Sequence, residues 1–583
     1  MLSTLPHRPL TPTPGSDAPV KTVTSSRASM GDVRAVTAAV IVTVTMAFFA
    51  MFARLQIMAG DLARPRKGNI FFRLYAMHEQ PFLIVLALVA VIAYVVVRTR
   101  PADPMFAPSR DQARQLRPTT RSLAVIAALL LVVTVGVAHQ VMHGLAFSMD
   151  EFSADFQAKL FAAGQWRATV PAAWRPFAGA IVPVFVQYRF DSATWFSMYL
   201  PVYALLKAPF VATGMSLLLN PVLAAISVLA LGAIARRLWP NEVARPWLAV
   251  ALFVTSSQFI VTSGTQYSMP AHLCLNLVWL WLYLRGDRWS WAAALVVGAL
   301  ALGLHTPFPH ALFVAPFLIR LVRDRRWSRV ASAAVAYGIA AALWLTWMKI
   351  AQPVASGGAG GLLSVFSFPT PRNLWLHAIN LSLLFTWHTP VFGLLVLAAV
   401  FQARKLDRTL RDLAWGALLT LVFFTFFPAS QGHGWGYRYA YQVVGSLALL
   451  GAAGLEPLLR VVGTRRTKLL VVGSLLVTLV FELPLRLLQT ERFVRPFAAG
   501  VDYVTSRDAE VVVVHADSIW YGRDLQRNDP FLRGQPVVLG DEFLTSEGRA
   551  YLRQTHPGRV VDVTDAELIG LGMTRWRRRP GEY

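Results

Sequence analysis

Apolar runs of roughly 16–23 residues recur along this 583-residue chain, and short arginine-rich joints separate them. A soluble fold cannot bury so many long apolar segments, so the pattern predicts a polytopic membrane protein whose membrane part is all-α. Composition agrees: 55% of residues are hydrophobic, 15% are charged and the mean hydropathy is +0.49. The formal charge of +24 does not call for nucleic acid. Most of the arginines sit in short loops, as expected of joints retained on the cytoplasmic side of a membrane. The single cysteine, Cys274, lies within an apolar run and excludes both an internal disulfide and a CxxC metal site.

Residues 1–34 are rich in Pro, Ser and Thr and read as a disordered cytoplasmic tail. The first apolar run starts too late for a cleavable signal peptide. Two spans, near 35–58 and 81–97, make an N-terminal section over 35–121, set apart from a core over 122–487. The core opens with a span at 122–141 and then a long outer loop, 142–210. Six spans follow near 211–235, 246–263, 270–285, 289–304, 310–322 and 328–349, and four more near 390–403, 412–428, 440–459 and 468–487, which makes about thirteen transmembrane helices. Six basic joints alternate onto one side: 98–121, Arg236/Arg237, Arg285/Arg288, 320–329, 404–411 and 460–468. That side is expected to be cytoplasmic, together with the N-terminus. The basic joint at 59–80 breaks the alternation. Residues 490–583 are polar and predict a small extracytoplasmic α/β domain. Its strands are expected near 511–515, 536–539 and 560–563, with a helix over 546–555. The basic end of the chain, 575–579, reads as a solvated tail or as a contact for anionic lipid.

Carboxylates are scarce, and two adjoin in the outer loop, Asp150 and Glu151. Ser148 and Glu151 make an S-x-x-E capping pattern, so a helix is expected to start there. Phe152, Phe156, Leu160 and Ala163 fall on one stripe, Asp150 and Gln157 share another face, and Gly164 suits the helix end. The stretch reads as an amphipathic helix lying at the membrane surface. A carboxylate near the bilayer is desolvated, which raises its pKa and suits it to deprotonate a hydroxyl. The plainer account is that acids favour helix N-termini. Glu151 suits the capping role better, which leaves Asp150 for chemistry.

The histidines are less telling. His305 and His310 join two spans, His377 and His388 flank an expected re-entrant helix, and His433 precedes a Gly-Trp-Gly-Tyr-Arg run. No pair has a metal-binding spacing such as HExxH, so no metal ligands are assigned, although a divalent ion on the outer side stays open. The glycine-rich run 357–361 lacks the Lys-Ser/Thr of a phosphate loop and reads as a flexible cover over a groove.

A span followed by Met149-Asp150-Glu151, then Gln157-Ala158-Lys159-Leu160-Phe161, Gly164 and a Tyr/Pro-rich return over 199–210, resembles the GT-C superfamily of membrane glycosyltransferases. The branch it is most similar to is that of the protein O-mannosyltransferases and lipid A aminoarabinose transferases. Gly436-Tyr437-Arg438-Tyr439 resembles the Arg-Tyr found before a late span in such enzymes. The resemblance implies transfer of a sugar from a polyprenyl-phosphate donor, at the outer face of the membrane, to a hydroxyl of a lipid, glycan or protein acceptor. It implies inversion at the anomeric carbon. It casts Asp150 as the base, with Glu151 beside it, and Gln157, His305 and Tyr439 near the substrate. The leaving phosphate needs cations, for which Arg438 comes first and Lys207 second; each also reads as an interfacial side chain. Between Gly164 and Tyr199 the chain lacks the Glu-Lys-Pro-Pro segment of the aminoarabinose transferases, and so gives no support for a lipid A acceptor.

A transporter or flippase of a lipid-linked intermediate is the alternative. Transporters place ionisable groups near the midplane and show paired halves, whereas here these groups cluster at one surface and no repeat is visible. A silent scaffold with an outer sensor domain is a third reading. Ala-, Arg- and Val-rich usage leans towards a bacterial plasma membrane.

Overall fold

A computed structural model describes residues 28–63, 70–99, 117–351, 368–427, 434–533 and 536–575. The glycine-rich run, His433 and nearly all of the basic C-terminal end lie outside them.

Crossing about 30 Å of hydrocarbon takes about 20 helical residues. Among the described residues seven helices are long and apolar enough to do so, and eight if one bent pair is counted. Several of the thirteen expected spans are shorter helices. Met269–Arg285, Arg288–Leu302 and Phe308–Arg323 have 17, 15 and 16 residues, and Phe392–Val400 has only 9. The bent pair, Ala244–Val254 and Ser257–Ser263, turns by 53°. Ser256 explains the break: its backbone is extended and its side chain accepts from the Phe259 amide, starting a new helix.

The first helix, Met30–Ala63, begins inside the stretch expected to be a disordered tail. It packs on the Gln80–Arg98 helix and on the late helices Phe392–Val400 and Leu455–Val462. A buried ion pair fastens this N-terminal section to the core. Arg486 donates to both oxygens of Glu79, at 2.7 and 2.6 Å, and Glu79 also accepts from Thr386 Oγ1 (2.8 Å) and Trp387 Nε1 (3.1 Å). The guanidinium lies 3.5 Å from the Phe82 ring centroid and 4.1 Å from that of Trp387. Glu79 sits in the joint whose charge broke the alternation.

The last span does not stop near 487. It is one helical run of 42 residues, Thr464–Thr505, with a π-turn at Thr478–Glu482. It ends against a parallel sheet of β4 (Val511–Val514), β5 (Val537–Gly540) and β6 (Val560–Val563), in the order β5-β4-β6. Helices Ser546–Thr555 and Asp565–Gly570 follow β5 and β6. β4 is four valines buried on both faces, the pattern of a central parallel strand.

This sheet does not stand apart. Val511, Val513 and Leu539 share a core with Phe152, Phe156 and Trp195 of the outer loop, while Val512, Val514 and Val538 join the core that holds Phe497 and Val504. Trp195 Nε1 donates to the Pro530 carbonyl at 2.9 Å, and Asn528 Nδ2 to that of Ile181 at 2.7 Å. The outer loop has its own antiparallel sheet of β1 (Ala168–Thr169), β2 (Val186–Arg189) and β3 (Thr194–Ser197), in the order β1-β3-β2.

Candidate active site

The helix Met149–Ala162 starts where the capping pattern predicts, with Ser148 as the N-cap and its hydroxyl accepting from the Glu151 amide, but the Glu151 carboxylate expected to complete the cap accepts from the Gln266 amide instead. The helix ends as Gly164 predicts. Gly164 has φ +73°, and the Gln165 amide reaches back to the Leu160 carbonyl at 2.9 Å. Its setting differs from expectation. Phe152, Phe156 and Leu160 are buried, but so are Glu151, Ser153 and Gln157 on other faces. The helix is enclosed between the membrane helices and the outer sheets, and does not float at a lipid surface.

Asp150, at the mouth of this helix, accepts from the Tyr199 hydroxyl through Oδ1 and from Arg438 Nη2 through Oδ2. Arg438 Nη1 donates to Tyr267 Oη at 3.2 Å, and the guanidinium stands 4.5 Å from the Tyr267 ring centroid and 5.9 Å from that of Tyr439. Tyr439 stacks on Phe424 at 4.8 Å, and the His305 and Tyr199 rings lie 3.8 Å apart. Four of the residues picked from the sequence, Asp150, Arg438, Tyr439 and His305, thus gather around Tyr199. Tyr199 was legible only as part of the return segment, and Tyr267 carried no signal in its sequence neighbourhood.

The electrostatics reverse one expectation. Burial pushes the Asp150 carboxyl up, but the Arg438 guanidinium, aided by the Tyr199 hydroxyl, outweighs it and holds the group below its ordinary range. The raised carboxylate is Glu151, pushed by burial to about 7. Burial drives Tyr199 well above the usual phenol value, so it stays a donor to Asp150, and lowers His305 to about 4, so its ring is neutral at pH 7.

Glu151 Oε2 accepts from the Gln266 amide at 3.0 Å, whereas Oε1 is buried with no hydrogen-bond partner among the described residues. Lys207 was expected near a phosphate. Its buried ammonium instead pairs with Asp155 at 2.9 Å and donates to Gln266 Oε1 at 2.5 Å. Asp155 is also 3.6 Å from Lys159, which stands 3.7 Å from Asp529. Gln157 turns away from Asp150: its Nε2 donates to the Trp166 carbonyl at 2.9 Å and its Oε1 accepts from the Ser197 amide at 3.0 Å. It ties the helix to β3.

Among the described residues no group of three or more His, Cys, Asp and Glu side chains has the geometry to hold a metal ion. His310 bonds Asn276 Oδ1 at 2.8 Å, and His377 bonds the Tyr437 hydroxyl at 3.0 Å.

No protein-family model and no curated relative matches the chain. Solved structures do. The crystal structure of ArnT from Cupriavidus metallidurans bound to undecaprenyl phosphate is similar over 78% of this chain and 91% of that one, with 15% identity and a TM-score of 0.50. The apo state of the same protein is similar over 76% and 89%, with 14% identity and a TM-score of 0.47. The chain has a GT-C-like, ArnT-like fold and is a multi-pass membrane protein.

Proposed function

We propose that this chain is a membrane glycosyltransferase that moves a sugar from a polyprenyl-phosphate donor to an acceptor hydroxyl at the outer face of the bilayer. The observation that carries the reading is the pairing of Asp150 with Arg438 at the N-terminus of the first outer helix. The ArnT-like fold and the undecaprenyl phosphate on that neighbour support it.

Asp150 is the base and Arg438 the phosphate cation. Without donor the two neutralise each other, which leaves the carboxylate a weak base and the guanidinium screened. A donor phosphate competes for Arg438. Once the guanidinium turns to it, burial acts on Asp150 without its main opponent and the carboxylate becomes more basic. The acceptor hydroxyl then gives its proton to Asp150 while its oxygen forms the bond to the anomeric carbon. The bond from that carbon to the phosphate oxygen breaks on the opposite face, and polyprenyl phosphate leaves against Arg438. Tyr199 and Tyr267 keep the two charged side chains in register before and after the exchange. The cytoplasmic N-terminus and the outward placement of the C-terminal sheet follow from the charge of the joints.

The test is transfer of label from a panel of polyprenyl-phosphate sugars to acceptors in a total lipid and envelope extract. Wild-type protein and Asp150→Asn are compared in membranes. Label moved by the wild type and not by the folded variant is the expected result. Transfer by Asp150→Asn at the wild-type rate removes Asp150 as the base. A donor that crosses the bilayer in proteoliposomes without being consumed replaces the enzyme with a flippase.

A further inference from the structure

The outer loop carries a feature that the transfer chemistry does not use. The β2–β3 hairpin turns at residues 190–193, and Phe190 at its tip is 85% exposed. The polar groups of the turn are engaged with one another. Arg189 pairs with Asp191 at 3.0 Å, and Ser192 Oγ donates to Asp191 at 3.1 Å and lies 2.9 Å from Thr194 Oγ1. The tip is therefore electrically neutral, and a phenyl ring is its outermost group.

Its depth can be read from the helix it is fixed to. Trp327–Ala351 faces outward along most of its length, with Val335, Ile339, Leu343 and Ile350 exposed. Trp327 stands at one end and Trp347 near the other, about 30 Å apart at a rise of about 1.5 Å per residue. That is the thickness of a bilayer's hydrocarbon core, and tryptophans mark its two boundaries. The hairpin is pinned to the second boundary at both of its ends. Trp347 Nε1 donates to the Tyr199 carbonyl at its base (3.0 Å), and Arg189 Nη1 donates to the Ile350 carbonyl near its tip (3.3 Å). It lies across the end of the helix. Phe161 and Trp166 ring the same indole, at 6.4 and 6.3 Å.

We infer that the β2–β3 hairpin is a membrane anchor, with Phe190 seated at the boundary between headgroups and acyl chains of the leaflet next to the candidate site. The partner is the lipid surface itself. The exposed apolar side of Trp327–Ala351 leads to the hairpin, and an aromatic tip beside a self-paired Arg189–Asp191 ion pair suits the boundary, the ring towards the acyl chains and the ion pair among the headgroups. Tyr199 follows β3 by two residues, so the anchor also fixes the height of the group that holds Asp150.

The inference is independent of the transfer reaction and is tested without it. A nitroxide is attached at Phe190→Cys in a Cys274→Ser background, in the full chain reconstituted in phosphatidylethanolamine/phosphatidylglycerol nanodiscs. Collision with oxygen, which partitions into lipid, is compared with collision with a water-soluble nickel complex. A label at Arg553→Cys, on the helix Ser546–Thr555, is the aqueous reference, and one at Met198→Cys repeats the measurement at the hairpin base. An oxygen-to-nickel ratio several-fold above the Arg553 reference at position 190 is the expected result. A ratio equal to the reference places the tip in water and overturns the anchor. Poor access of both probes shows that protein covers the tip, and overturns it as well.

Discussion

Two of the buried arginine–carboxylate pairs in this molecule, Arg486–Glu79 and Arg438–Asp150, are built differently. Arg486 grips both oxygens of Glu79, two more donors complete the carboxylate, and aromatic rings close over the guanidinium; the two side chains are 1% and 4% exposed. Arg438 meets one oxygen of Asp150, a tyrosine takes the other, and the side chains keep 12% and 15% of their surface. In the first pair both carboxylate oxygens of Glu79 are taken by donors, and both side chains are enclosed. The second is flanked by the phenols of Tyr199 and Tyr267 and keeps more of its surface exposed. A buried pair is costly to break and adds little by itself. Its design therefore tells more than its presence: one is a fastening between chain segments 407 residues apart, the other the pair to which the proposed transfer is assigned.

The contrast is broken most directly at the second pair. Asp150→Asn is expected to lower turnover by about 10²–10⁴-fold while melting stays close to wild type, measured by label transfer and thermal unfolding on the same preparation. A variant that melts far below wild type places Asp150 in the same structural class as Glu79. At the first pair the prediction inverts. Arg486→Met is expected to cost about 3–5 kcal/mol of stability by leaving Glu79 buried alone, and adding Glu79→Leu should recover most of it. Denaturation of the three proteins in one detergent reads this out, and a double variant no better than the single one would show that the pair itself drives stability.

The pH dependence separates the two adjacent carboxylates. Glu151 has a folded value near 7 against an ordinary 4.5. The stability it lends is complete below its unfolded value and is lost as pH rises through about 7. Asp150 is depressed, so its contribution is present above the unfolded value and fails only in acid. Between about pH 5 and pH 8 stability should therefore fall by on the order of 1–3 kcal/mol on account of Glu151, and Glu151→Gln should flatten that slope. The smallest effect belongs to Lys159, whose half-exposed ammonium stands 3.6 and 3.7 Å from Asp155 and Asp529. Lys159→Ala should change stability by less than about 1 kcal/mol, and a larger loss would mean that the chain of charges from Lys207 outward acts as a unit.

Much of this was legible locally. Ser148 and Gly164 mark the ends of the outer helix, and the valine run at 511–514 marks a buried strand, because caps and continuous apolar runs are written in neighbouring residues. The approach of Arg438 to Asp150, 288 residues away, was not, although each had been singled out. Lys207 misled for the same reason. Its position beside the return segment suggested an interfacial cation, while its partner Asp155 is supplied by packing between two helices. Glu79 was overlooked within a basic joint, where only the fold reveals Arg486 opposite. Span number was less legible: among the described residues seven or eight helices are long and apolar enough to cross by themselves, and other apolar runs form shorter helices.

The unbroken helix Thr464–Thr505 has a mechanical meaning. At about 1.5 Å per residue it is a shaft of roughly 60 Å, twice the thickness of the hydrocarbon it traverses. Glu79 clamps it near the middle, and the parallel sheet grips its end through Phe497 and Val504. A shaft clamped at two points transmits torsion between them. Phe493, between the two clamps, carries the ring of Trp435 at 6.1 Å, three residues before Arg438. One helix thus joins the sheet, the Glu79 clamp and, through Phe493 and Trp435, the segment that bears Arg438.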